Sequence, residues 1–351
     1  MIPRHDRTGT LRSEAPEKNG RRARPIVLLL SLLLLSVGAL LASCGGGPTV
    51  ATPTGRTLYL ATTSGIYGFS IMNDGTLQAL SSSPLATGSY NQIAATTGSS
   101  PLLIGANGTA NLTTWNISGG GLGSQGTLSL ANNGCSSFSA TGVAVTSDNN
   151  YVVAVDGSAT SSNIATLPVT GKTCNLANTS SYPLQPSLDC SEAGASSCTL
   201  FLTLSKYALN STSPLTPVPP QEGSFTESTN TVSTLSSGPF SSCTASICPQ
   251  GAAFNANTLY FYATFNGGSP SLQSITYNST TAAQSTSFPT ANLNYPCIDA
   301  LGGVAYIPTS NGYVYAVPTG NGGGLGSPST VLTPQSFGSA LYISSCAVGG
   351  S

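Results

Sequence analysis

Short apolar stretches return along this chain at a nearly regular interval. Thr57-Leu-Tyr-Leu-Ala61, Pro101-Leu-Leu-Ile-Gly105, Tyr151-Val-Val-Ala-Val155, Thr199-Leu-Phe-Leu-Thr203, Leu259-Tyr-Phe-Tyr-Ala263 and Gly303-Val-Ala-Tyr-Ile307 start about 44 to 60 residues apart. Several are followed by a second, alternating stretch: 65–71, 112–117, 271–277 and 312–317. Asp74-Gly75, Asn107-Gly108, Asn266-Gly267 and Asn311-Gly312 punctuate them, and such dipeptides supply the positive φ of tight hairpins. No long helical periodicity competes. A fold of radially repeated four-stranded sheets fits the pattern and leaves only short edges. The expectation is therefore all-β: a single β-propeller over residues 56–351, with six blades favoured and seven possible. Its ring would be closed by the terminal strands, because Thr57–Ala61 lacks a preceding partner and Leu341–Val348 lacks a following one.

The N-terminal part reads as a targeting segment. Arg4, Arg7, Arg12, Lys18, Arg21, Arg22 and Arg24 face only Asp6, Glu14 and Glu17, and an apolar run from Ile26 follows. That run is at the lower edge for a membrane span and above a usual signal core. Leu41-Ala42-Ser43-Cys44 resembles the lipobox of bacterial lipoproteins. The resemblance implies cleavage before Cys44 and acylation of that residue, with residues 1–43 as signal peptide; an uncleaved anchor is the alternative. Residues 44–55, opened by Gly45-Gly46-Gly47-Pro48, read as a flexible tether. Gly45, where an inner-membrane lipoprotein would carry Asp, favours the bacterial outer membrane.

Beyond Cys44 the chain is nearly free of charge. Its cations are Arg56, Lys172 and Lys206, and its anions Asp74, Asp148, Asp156, Asp189, Glu192, Glu222, Glu227 and Asp299. No basic footprint for nucleic acid exists. The one histidine, His5, lies in the leader. The remaining cysteines, Cys135, Cys174, Cys190, Cys198, Cys243, Cys248, Cys297 and Cys346, are even in number in an exported chain and read as disulfides. Metal ligation is the alternative, although the spacings are not those of zinc ribbons. Sequence leaves the connectivity open; the simplest scheme joins neighbours, Cys135–Cys174, Cys190–Cys198, Cys243–Cys248 and Cys297–Cys346.

A family resemblance accompanies this pattern. Gly142-Val-Ala-Val-Thr-Ser-Asp-Asn-Asn-Tyr-Val-Val-Ala-Val155 resembles the blade signature of lactonase-type (YVTN-like) β-propellers, and residues 58–77 are similar to the next strands of such a blade. Members commonly have seven blades, and their enzymes use histidine with Arg or Glu around the central opening. No catalytic residue carries over, since histidine is missing after the leader and Arg56 stands beside the tether.

Other chemistry is thin. Gly121-Leu-Gly-Ser-Gln-Gly126 matches a dinucleotide fingerprint but lacks its strand–helix context, so it reads as a hairpin loop. Asp148-Asn149-Asn150 reads as a turn rather than a calcium loop. Asp189 and Glu192 beside Cys190 read as a solvated loop, and Trp115 as packing between blades. No cofactor, metal or catalytic residue is expected. Three functions stay open. The first is a monomeric, membrane-anchored binding module, taking a protein or glycan at a propeller mouth and helped by the insert 210–238. The second is a lactonase-like hydrolase with a non-standard site drawn from Asp156, Asp189 or Asp299. The third is a structural envelope protein.

Overall fold

The computed structural model describes residues 51–81, 84–96, 99–156, 163–171, 173–178, 184–190, 197–204, 221–237, 251–255, 258–263, 271–276, 284–289, 293–320, 323–338 and 341–350. The leader, Cys44, Cys243, Cys248, Asn266-Gly267 and Glu192 lie outside them.

The described strands fall into six antiparallel sheets. Five come from uninterrupted stretches: sheet 2 (residues 92–129), sheet 3 (140–178), sheet 4 (184–237), sheet 5 (252–287) and sheet 6 (297–332). Sheet 1 is composite. Its inner strand Ile343–Gly350 pairs with Pro53–Thr62, matching Leu58 with Val348 and Leu60 with Cys346, and Gly65–Met72 follows on the other side. In every sheet the first strand touches the first strands of its neighbours in ring order. The chain is a β-propeller.

The recurring apolar stretches are the second strands, and their side chains alternate between two neighbouring sheets. Leu58 and Leu60 pack with Tyr306 and Val314 of sheet 6, whereas Tyr59 and Ala61 pack with Leu103 and Trp115 of sheet 2. Val152 and Ala154 face sheet 2, while Val153 and Val155 face Leu200 and Leu202 of sheet 4. Burial on both faces is why these strands read as continuous apolar runs instead of alternating ones. The turn dipeptides also act as expected: Gly75, Gly108 and Gly312 have φ of 82°, 80° and 86°.

Three disulfides are described: Cys135–Cys174, Cys190–Cys198 and Cys297–Cys346, with Cα–Cα distances of 5.9, 4.5 and 5.6 Å. The last joins the inner strands of sheets 6 and 1.

Several boundaries differ from expectation. Pro53–Gly55, assigned to the tether, belong to a strand: Pro53 is in register with Met72, and Thr54 Oγ1 donates to Ile71 O at 2.7 Å. A register shift between Pro53 and Thr57 accommodates the proline. Gly121–Ser129, which contains the expected loop, is the outer strand of sheet 2, and Gly119-Gly120 at φ 56° and 79° make the hairpin turn before it. Within the expected insert 210–238, Gln221–Thr226 is the third strand of sheet 4, paired with Ser197–Leu204. Outer strands are half solvated, so Gly, Ser and Gln serve there and leave no apolar signal.

Candidate functional site

Two concavities are described. The first is the central channel, about 180 Å³, lined by one stretch from the inner strand of every sheet. Ile93, Val143, Leu188 and Ile298 are among its lining residues, yet more polar than apolar surface faces the channel. Gln92 links three consecutive sheets there: its Oε1 accepts from Val143 N at 2.9 Å in sheet 3, and its Nε2 donates to Pro186 O at 3.4 Å in sheet 4. Both polar ends of this amide are thus used within the protein.

The second concavity is larger, about 460 Å³, and lies off the axis where sheets 1 and 2 meet. Sheet 1 supplies Pro53, Gly55, Arg56, Thr57, Ser70 and Gly350. Sheet 2 and its hairpins supply Ser99, Pro101, Ile117, Gly119 and Gly120. Behind the cleft, Tyr59 Oη donates to Gly120 O at 3.0 Å, and burial pushes that phenol up to about 12. Gly350 N donates to Thr96 O at 3.4 Å and holds the two sheets at its rim.

The cleft opens on one face of the ring, that on which the inner strands finish. Hydrogen bonds tie the finishing ends together: Asn149 Nδ2 to Ser100 O at 2.8 Å between sheets 3 and 2, and Ser147 Oγ to Cys190 O at 3.3 Å between sheets 3 and 4. The Arg56–Asp299 pair does the same between sheets 1 and 6. This face also receives the chain at Pro53.

Arg56 is the chemically distinctive member. Dismissed in the sequence as part of the tether margin, it is only 12 % exposed and forms an ion pair through Nη1 with Asp299, itself 2 % exposed. Its Nε donates to Thr54 Oγ1 at 3.3 Å. Asp299 Oδ1 also accepts from Gly302 N at 3.1 Å. A Cβ on Gly302 would stand 2.2 Å from Asp299 Oδ2, so the turn needs glycine for the carboxylate to fit. Burial first, and then the Asp299 charge, push the Tyr306 phenol up to about 12, with Arg56 opposing. The Arg56 and Asp299 positions are 243 residues apart, a distance over which no sequence spacing signals a pair.

The other acids do not converge. Asp156 Oδ1 accepts from Asn163 N at 2.7 Å and Oδ2 from Asn163 Nδ2 at 2.9 Å. It pairs with Ala140, at the beginning of an inner strand, whereas Asp189 and Asp299 end theirs. None of Asp156, Asp189 and Asp299 lines either described concavity. Among the described residues, no group of three or more potential metal ligands gathers. Asp148 caps its own turn, accepting from Thr146 Oγ1 at 2.7 Å and Asn150 N at 3.0 Å. Trp115 packs edge-on against Tyr90, with ring centroids 5.4 Å apart, between sheets 1 and 2.

No family model and no curated protein matches the chain. Solved structures do. TolB from Acinetobacter baumannii is 10% identical with a TM-score of 0.47, over 79% of this chain and 67% of that one. A chain of a nidogen/laminin complex is 12% identical with a TM-score of 0.47, over 84% and 98%. An apocarotenoid oxygenase from Synechocystis is 12% identical with a TM-score of 0.48, over 86% and 74%. At such identities and TM-scores, no site or activity passes from them to this chain.

Proposed function

We propose that this protein is a lipid-anchored, six-bladed propeller of the bacterial cell envelope that binds a partner through the cleft between sheets 1 and 2. The cleft carries the reading: it is the larger described concavity, and its one charged group is held in place by a buried counter-ion. The composite sheet 1 and the ring order of the inner strands support closure by the two terminal strands. The lipobox-like Leu41-Ala42-Ser43-Cys44 supports acylation at Cys44.

Chain length then ties the anchor to the cleft. Nine peptide units separate Cys44 from Pro53, and an extended chain covers at most ~3.3–3.6 Å per residue. The cleft is thereby kept within about 30 Å of the acyl chains. Its partner belongs to the same envelope surface, and the protein acts as a monomeric module that needs no nucleic acid.

Ser99 is exposed and lines the cleft, so Ser99→Trp fills it without touching a sheet core. Immobilised wild-type protein should bind a detergent-solubilised envelope fraction, and Ser99→Trp should bind about tenfold less. Equal binding by both proteins would sink the reading.

A further inference from the structure

We infer that the cleft takes an uncharged saccharide, a proposal that rests on the binding role just given and adds the class of ligand. Three properties of the lining lead there.

The first is charge. Arg56 is the cation on the cleft, and Asp299 already neutralises it from behind. The buried Asp299 carboxylate partly cancels the attraction that Arg56 would exert on a ligand carboxylate or phosphate, so the pair offers anions less than a free cation would. A neutral acceptor oxygen is treated differently. The bonds to Thr54 and Asp299 use Nε and Nη1, and a guanidinium carries more N–H donors than that. A hydroxyl or ring oxygen can accept one without bringing a second charge to Asp299.

The second is the kind of polar group. Ser70 and Ser99 present hydroxyls that both donate and accept, matching the two-way hydrogen bonding of sugar hydroxyls, while Thr57 is 1 % exposed and only shapes the wall. Exposed Pro53, with the edges of the buried Pro101 and Ile117, adds apolar surface for the C–H face of a ring. About 460 Å³ holds a short oligosaccharide segment and falls in the usual range of small-ligand sites, ~300–1,000 Å³.

The third is what the backbone refuses. A peptide adding itself as a strand needs a row of free N–H and C=O groups. From Arg56 onward the Pro53–Thr62 strand is paired on both sides, with Ser70 opposite Thr57 in one neighbour and Gly350 opposite Arg56 in the other. The stretch before it begins with Pro53, which has no N–H, and Arg56 N is spent on Thr54 Oγ1 at 3.3 Å. Extended peptides find no edge here.

The test is an array of neutral oligosaccharides, uronic-acid and phosphorylated oligosaccharides, and acidic and neutral peptides, probed with the full-length protein in detergent. Wild type should bind neutral saccharides, hold them equally at low and high salt, and lose about tenfold in affinity on Ser99→Trp with its melting temperature unchanged. Arg56→Lys, which keeps the charge but not the planar donor fork, should weaken binding as well. Binding of anionic sugars or peptides that Ser99→Trp abolishes would overturn the saccharide assignment and leave the cleft as a binding site. Saccharide binding indifferent to Ser99→Trp would overturn both. No binding to any member overturns the saccharide assignment alone, and the envelope-fraction comparison then decides the cleft.

Discussion

Removing the Asp299 carboxylate strands a positive charge inside the seam of the ring. In Asp299→Ala, Arg56 keeps its position at 12 % exposure with no counter-ion, and Gly302 N loses its acceptor. Breaking one partner of a buried pair costs about 3–5 kcal/mol. Arg56 retains a solvent edge at the cleft, which puts the cost near the lower figure, about 3 kcal/mol. With an unfolding entropy of ~2.1 cal/mol/K per residue over roughly 300 residues, that lowers Tm by about 5 °C. Urea unfolding followed by fluorescence suits the measurement. Trp115 is the only tryptophan, is 3 % exposed, and shares a cluster with Tyr59 and Ala347 of sheet 1. The double variant Arg56→Met/Asp299→Ala removes both charges and should recover about 2 kcal/mol of the loss, because buried pairs roughly break even against apolar replacements. A loss below about 0.5 kcal/mol for Asp299→Ala, the scale of an exposed ion pair, would refute the reasoning. So would strict additivity of the two substitutions.

Two further outcomes are expected. The Cys297–Cys346 bond closes a separation of 49 residues and Cys190–Cys198 one of 8. On chain entropy alone, their paired Cys→Ala variants should lose about 4 and about 2.5 kcal/mol, and the reverse order in urea unfolding would reject that account. Glu227 is raised by burial and then by Asp148, while hydrogen bonds from Thr146 and Asn150 outweigh burial and hold Asp148 below its usual range. Glu227's stabilising contribution is therefore complete below its unfolded value, ~4.3, and disappears as pH rises through its raised folded value. Asp148's runs the other way, present above its unfolded value and lost as pH falls through the depressed one. Glu227→Gln should remove the loss of Tm that wild type shows on going from pH 4 to about pH 7; identical slopes in both proteins would show that the pair is not coupled to folding.

How much of this was legible depended on which surface each residue faces. Tyr151–Val155 announced itself because both its faces are buried, giving five residues with hardly a polar atom between turn signals. The neighbour pairing of cysteines coincides with the three described bonds, since each joins strands or loops that the repeat brings side by side. Gly121–Gly126 was read as a loop because an outer strand needs ladder partners, not apolar side chains. The cleft left no trace at all. Apart from Arg56 and Ile117, its walls are Pro, Gly, Ser and Thr from five separate stretches, residue types that this composition spends everywhere. Arg56 was visible but misplaced, because its meaning lies in a carboxylate 243 residues away.

The scarcity of charge acquires a physical reason from the same ring. Neighbouring inner strands are not in ladder contact, so their outward backbone groups need other partners. Neutral short side chains supply them: Ser187 Oγ donates to Ala252 O at 2.6 Å, Ser345 Oγ accepts from Ile93 N at 3.0 Å, and Ser344 Oγ donates to Tyr90 O at 2.6 Å. At the outer rim, Asn230 sits at φ 52°, takes Thr166 Oγ1 on its carbonyl at 3.0 Å, and gives Nδ2 to Thr173 O at 3.1 Å. Each such bond is worth about 0.5–1.5 kcal/mol and brings no ion to desolvate. A lysine or glutamate at these positions would carry a charge into a junction that has no counter-ion to receive it. The exception is instructive: at the junction of sheets 1 and 6 the chain spends a buried ion pair, Arg56 and Asp299, together with the Cys297–Cys346 bond. Arg56 so fastened on one side of sheet 1 is also a wall of the cleft on the other.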